Sequence, residues 1–189
     1  IPLRLVGSEM CIRDRIKESP IKKSEVDKHA QSMLFEAASL STENERVRYI
    51  RIAHSADHRE YLHVAQVLVY PTAMPDLNVA PGGVASMSSR YRDDIYPASN
   101  AINGDMSSGA NFFHTNNKGG EWWELDLGVA VSLSSITIHN RRDGCKNRLN
   151  GALIYLYDSD RQHISRDMLL NGDHIQTFSV SDKLLGVVP

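Results

Sequence analysis

The sequence predicts an all-β sandwich or barrel preceded by a short helix, and three observations carry that prediction. From Arg46 onward Val, Ile, Thr, Tyr and Ser recur in short runs suited to a pleated, half-buried surface. Turn residues punctuate those runs, among them Arg142-Asp143-Gly144 and the Asn-Gly pairs at 103–104, 150–151 and 171–172. Helical periodicity stands out in one place only, ahead of residue 46.

Taken in order, residues 1–15 are expected to be a non-native tail, because LVGSEMCIRDR (5–15) resembles the translated read-through of a sequencing adapter. Residues 16–44 form a polar extension in which Val26, Ala30, Met33, Leu34 and Ala37 fall on one helical face. Ser24 is the expected N-cap, with Asp27 three residues on as a weak capping box. Two strand-like runs follow, VRYIRI (47–52) and YLHVAQVLVY (61–70), separated by the polar loop AHSADHRE. Pro71, Pro75, Pro81, Gly82 and Gly83 then break the chain into turns and coil. Four further strands are expected in WWELDLG (122–128), LSSITIHN (133–140), GALIYLYD (151–158) and IQTFSV (175–180).

Composition narrows the function. A net charge of −2 argues against a large nucleic-acid or anionic-membrane surface, since both need clustered positive charge. No stretch approaches the roughly 20 apolar residues of a membrane span. The two cysteines, Cys11 and Cys145, give no disulfide framework, because Cys11 lies in the suspect tail. His54, His58 and His63 are spaced for no transition-metal site, and His63 reads as a packed histidine. Adjacent strand residues face opposite sides, so at least one of Trp122 and Trp123 belongs to the core. No carboxylate pair, nucleophile elbow or phosphate loop frames an enzyme.

The strongest constellation is His114, twenty-six residues, Arg141, one residue, Asp143, four residues, Arg148. It resembles the sugar-binding signature of the F-type lectins, the eel-fucolectin family. The flanks NVAPGGVASMSSRY (78–91), YPASNAINGD (96–105), FFHT (112–115) and ITIHNRRDGCKNRLNGA (136–152) follow that family's order of landmarks, and LYDSD (156–160) extends it. The resemblance implies a jelly-roll sandwich of the galactose-binding-like, discoidin-related class. It also implies a lectin module, not an enzyme, that recognises a fucose-like monosaccharide on glycans through His114, Arg141 and Arg148, with Asp143 orienting an arginine. Two guanidiniums offer rigid, permanently charged forks of donors to sugar hydroxyls, and an imidazole adds one directional bond. Where the family often carries two adjacent cysteines that pack on an apolar edge of fucose, this chain has Gly144 and Cys145.

The same resemblance implies a structural calcium at Asn100, Asn103 and Asp105, joined by the Ala65 carbonyl and by Gln66 at the family's glutamate position. Residues 46–70 resemble the family's C-terminal strand pair. They either close a preceding domain or complete this sandwich in circularly permuted fashion, leaving 71–189 as a C-terminally truncated lectin-like domain. The expected partners are a fucosylated or related glycan and other modules of a longer extracellular or cell-surface chain, with no nucleic acid and no membrane insertion. A discoidin-type adhesion module binding protein or lipid, and an accessory module of an enzyme, share the scaffold and stand as alternatives.

Overall fold

The structure, a computed structural model, describes residues 23–40, 46–92, 95–106 and 111–180. The expected tail over 1–15 with Cys11, and residues 16–22, 41–45 and 181–189, lie outside the described residues, as does the Val26 side chain. Helix α1 spans Lys23–Leu40, which sets Ser24 inside the first turn and not at the cap. Its Ala30, Leu34 and Ala37 are buried, as the i, i+4, i+7 spacing requires. The helix rests on the 3-10 turn Ala80–Gly82, where Gly82 permits the close approach. A Cβ at Gly82 would lie 2.8 Å from the backbone of Ala30 and of Gln31.

Ten strands follow: β1 Val47–Ala53, β2 His63–Val64, β3 Gln66–Pro71, β4 Val84–Met87, β5 Phe113–His114, β6 Trp122–Val131, β7 Leu133–His139, β8 Leu153–Tyr157, β9 Met168–Leu169 and β10 Ile175–Ser179. They form a five-stranded sheet ordered β4-β6-β1-β8-β9, a three-stranded sheet ordered β10-β7-β3, and the two-stranded ribbon β2-β5. Among the described residues every ladder between these strands is antiparallel. Side chains from both larger sheets meet in one core, with Ile50, Ile52, Leu125 and Ile154 from one and Val67, Val69, Ile136 and Ile138 from the other. The result is a β-sandwich. Trp123 is fully buried and donates its indole N–H to the Ala98 carbonyl at 3.0 Å, while Trp122 faces outward beneath the Arg51 guanidinium.

The run 61–70 departs from the single strand expected of it. It forms β2 and β3, which belong to different sheets, because the chain changes partners at Ala65, whose N–H donates to the His139 carbonyl at 2.9 Å. Strands β4, β5 and β9 had no pattern to reveal them. Two have only two residues, and β4 alternates between exposed and half-buried positions without a fully buried face.

The segment 46–71 is structurally central. β1 lies between β6 and β8, with Ile52 opposite both Trp123 and Ile154. β3 forms an edge of the other sheet, running along β7. Fully burying one such aliphatic side chain contributes about 1.5–3 kcal/mol, and Val47, Ile50 and Ile52 are all fully buried. A chain beginning at residue 72 is therefore expected to give no cooperative transition in a urea titration followed by tryptophan fluorescence. A sigmoidal transition from that truncation would show that the remaining strands suffice.

Candidate functional site

His114 is held by backbone pairing. β5 lies along β2 with His114 opposite His63, and the His114 carbonyl accepts the Tyr91 N–H at 2.9 Å. Aromatic rings then surround the imidazole, with centroids at 4.7 Å for Tyr91, 5.0 Å for Tyr61 and 5.7 Å for Tyr96. Nδ1 lies 2.7 Å from the Thr115 carbonyl, which can only accept, so Nδ1 carries the proton and Nε2 presents a lone pair. Burial pulls the His114 pKa below its ordinary value, and Arg141 and Arg148 add to that pull against the Thr115 hydrogen bond. At neutral pH the ring is an uncharged acceptor.

The arginines come from the loop after β7. Asn140, buried at the end of that strand, organises it. Its Nδ2 donates to the Lys146 carbonyl at 2.9 Å and its Oδ1 accepts the Arg141 N–H at 2.8 Å. The Arg141 guanidinium lies over the Phe112 ring, 4.1 Å from its centroid, and donates through Nε and Nη2 to the two Asp143 oxygens at 2.6 Å each. This bidentate grip holds the Asp143 carboxyl below its usual range. Nη1 has no hydrogen-bond partner among the described residues. Cys145 is exposed and takes a left-handed conformation (φ 54°) as it opens the 3-10 turn Lys146–Leu149. That turn lays the Arg148 guanidinium over Tyr61, 4.8 Å from the ring centroid, with Nε 3.3 Å from a Glu60 oxygen.

His114, Arg141 and Arg148 thus gather around one aromatic cluster, each arginine reaching the imidazole's neighbourhood through a single intervening ring. Asp143 grips Arg141 alone. Sequence reasoning missed Tyr61, Tyr91, Tyr96 and Phe112 as the walls, Glu60 as the partner of Arg148, and Asn140 as the loop's organiser. Asn140 carried a usable signal, as an Asn closing a strand before an Arg-Asp-Gly turn. The rings carried none, since they converge from three separate segments.

The second constellation surrounds Gln66. Fully buried at the start of β3, Gln66 donates from Nε2 to the Asn100 carbonyl at 2.6 Å, to Asn103 Oδ1 at 2.8 Å and to the Asp105 carbonyl at 3.3 Å. Its Oε1 accepts the Gly104 N–H at 3.0 Å. These partners fix which end of the amide is nitrogen. The Asn100 amide nitrogen is turned away, donating to the Phe112 and Ile95 carbonyls, and Asn111 donates to the Asp105 carbonyl at 2.6 Å. Ala65, Asp105, Met106, Asn140 and Arg141 share a small cleft, so this loop abuts the arginine loop. Among the described residues no group of three His, Cys, Asp or Glu is placed to hold a metal ion.

Comparison with known proteins gives a consistent picture. Residues 100–182 match the family of the NedA-like, galactose-binding domain. The chain is similar to a fucolectin of Anguilla anguilla, 36% identical over 94 residues that make up 46% of this chain and 58% of the relative. It is equally similar to fucolectin-4 of Anguilla japonica, 36% identical over 96 residues, 47% of this chain and 52% of the relative. A pentraxin fusion protein of Xenopus laevis is 34% identical over 88 residues, 45% of this chain and 21% of that protein. The chain therefore spans little more than half the length of the two fucolectins. No solved structure matches it significantly. No described helix is long and apolar enough to cross a membrane.

The buried imidazoles also make the site sensitive to acid. Burial, reinforced by Arg141, His114 and Arg148, lowers the His63 pKa to about 3, and burial with the His58 charge lowers that of His54 to about 4. Above the ordinary histidine value of 6.5 neither state of the chain is charged at these rings, so stability does not depend on them. Below 6.5 the unfolded chain takes up protons that the folded chain refuses, and His63 alone costs up to about 1.4 kcal/mol per pH unit until its folded value is reached. The urea midpoint is expected to fall between pH 6.5 and 4.5, and more shallowly in His63→Leu. Identical slopes in parent and variant would remove His63 as the cause.

Proposed function

Starting from a galactose-binding-like domain related to the fucolectins, we propose that this chain is a lectin module that binds a fucose-like monosaccharide on glycans through His114, Arg141 and Arg148. The observation that carries the reading is the complementarity of the three groups. His114 offers a neutral acceptor at Nε2, and the Arg141 and Arg148 guanidiniums, stacked on rings that contact the imidazole, are donors only. A sugar hydroxyl is both donor and acceptor, so a single hydroxyl can give its proton to Nε2 while its oxygen accepts from an arginine. Hydrogen bonds to charged groups contribute about 1.5–3 kcal/mol each, enough for modest monovalent affinity that multiple modules would raise by avidity.

The rings have a second part in this reading. Phe112 and Tyr61 carry the guanidiniums on their faces, and the edges of Tyr61, Tyr91 and Tyr96 offer apolar surface for the non-polar side of a pyranose ring. Gly144 and Cys145 leave no vicinal disulfide for that contact, and the tyrosines are the available substitute. Glu60 and Asp143 offset the two positive charges and hold the guanidinium planes in place.

Calorimetric titration with L-fucose tests the proposal, with a glycan array to name the preferred sugar. Arg148→Ala should weaken binding by roughly 10- to 100-fold, the loss of one charge-assisted hydrogen bond, while the unfolding transition stays cooperative. A folded Arg148→Ala protein that binds as well as the parent would put the sugar elsewhere. Because His114 already accepts as a neutral ring, parent affinity should stay level from pH 8 down to its ordinary titration range near 6.5. An affinity that rises as pH drops through that range would mean the charged ring is the binding form.

A further inference from the structure

The loop 100–106 is fastened from its centre by an amide. Three oxygens from three residues, the carbonyls of Asn100 and Asp105 and the side-chain oxygen of Asn103, point at one spot, and Gln66 Nε2 occupies it. Converging oxygens of this kind repel one another and need a positive partner in their midst. In a calcium site that partner is a cation with six to eight oxygens at about 2.3–2.6 Å, charged carboxylates among them. Here the oxygens that converge are all neutral, and the two hydrogens of a buried carboxamide meet them, helped by the Asp105 N–H at Asn103 Oδ1 and by the Asn111 amide at Asn103 Oδ1 and the Asp105 carbonyl. An ion held at calcium distances from the same three oxygens would overlap that nitrogen, so the amide and a cation exclude each other.

We infer that this loop is metal-independent, with Gln66 as a built-in substitute for the ion. The amide is suited to the task because its two ends do opposite work, Nε2 donating to the oxygen cluster and Oε1 accepting from Gly104. A glutamate in its place would aim a negative charge at three oxygens, an arrangement that is unfavourable when buried and only a cation relieves. Gln66 and the loop therefore form a matched pair. Because the loop abuts Asn140 and Arg141, its independence of calcium extends to the support of that arginine. The inference rests on the cage around Gln66 and on no part of the sugar-binding reading.

Thermal unfolding and calorimetry with calcium chloride, against a chelator and without sugar, test it directly. The parent should unfold at the same temperature in both buffers and release no binding heat with calcium. Gln66→Glu should lose roughly 5–10 °C in chelator and regain most of it with calcium, converting the loop into an ion site. Gln66→Met, of similar length but without the amide, should lose stability equally in both buffers. Saturable calcium binding by the parent would overturn the inference, as would a Gln66→Glu protein that ignores calcium or a Gln66→Met protein as stable as the parent.

Discussion

The insertion of β1 between β6 and β8 is the constraint on which the rest of the molecule depends. A central strand has both edges bonded, so its removal would leave two rows of backbone donors and acceptors unpaired and open the core beneath them. The chain that leaves β1 then runs through Glu60, Tyr61 and His63 to Gln66 before it joins the opposite sheet. One short passage thus closes the sandwich and supplies a partner for Arg148, a ring against His114, the strand that pairs with β5, and the amide at the centre of the 100–106 loop.

Around His114 the geometry is set mainly by shape. The ion pairs Arg141–Asp143 and Arg148–Glu60 are partly exposed, and pairs of that kind contribute only about 0–1 kcal/mol to stability. Their value is orientation. A guanidinium is planar and weakly hydrated, so it lies readily on an aromatic face, and a carboxylate at its edge then fixes its rotation. Burial keeps the imidazole neutral, and the two cations add to it. Donors and acceptor are each held in the state that complements the other.

The two constellations show opposite ways of settling polar groups in a sandwich loop. Near His114 charges are retained, at a surface where solvent screens them. Around Gln66 the loop is partly exposed but the amide itself is fully buried, and this neutral group meets the loop oxygens without a buried charge. An enclosed carboxylate would carry a desolvation cost of several kcal/mol that only a partner ion offsets. On the reading proposed for Gln66, the identity of one side chain decides whether such a loop depends on a metal.

The sequence by itself determined the fold class, the larger strands and the helix, because alternation in runs such as LSSITIHN and the apolar stripe through Ala30, Leu34 and Ala37 are local consequences of strand and helix geometry. It also singled out His114, Arg141 and Arg148, whose spacing is a property of the linear chain. Tertiary structure alone decided what surrounds them. That Tyr61, Tyr91, Tyr96 and Phe112 form one wall, that the run 61–70 divides between two sheets at Ala65, and that the Gln66 amide faces three loop oxygens all depend on pairings across tens of residues. Local pattern fixes which face of a strand turns inward, whereas which strands lie side by side is decided only when the whole core closes.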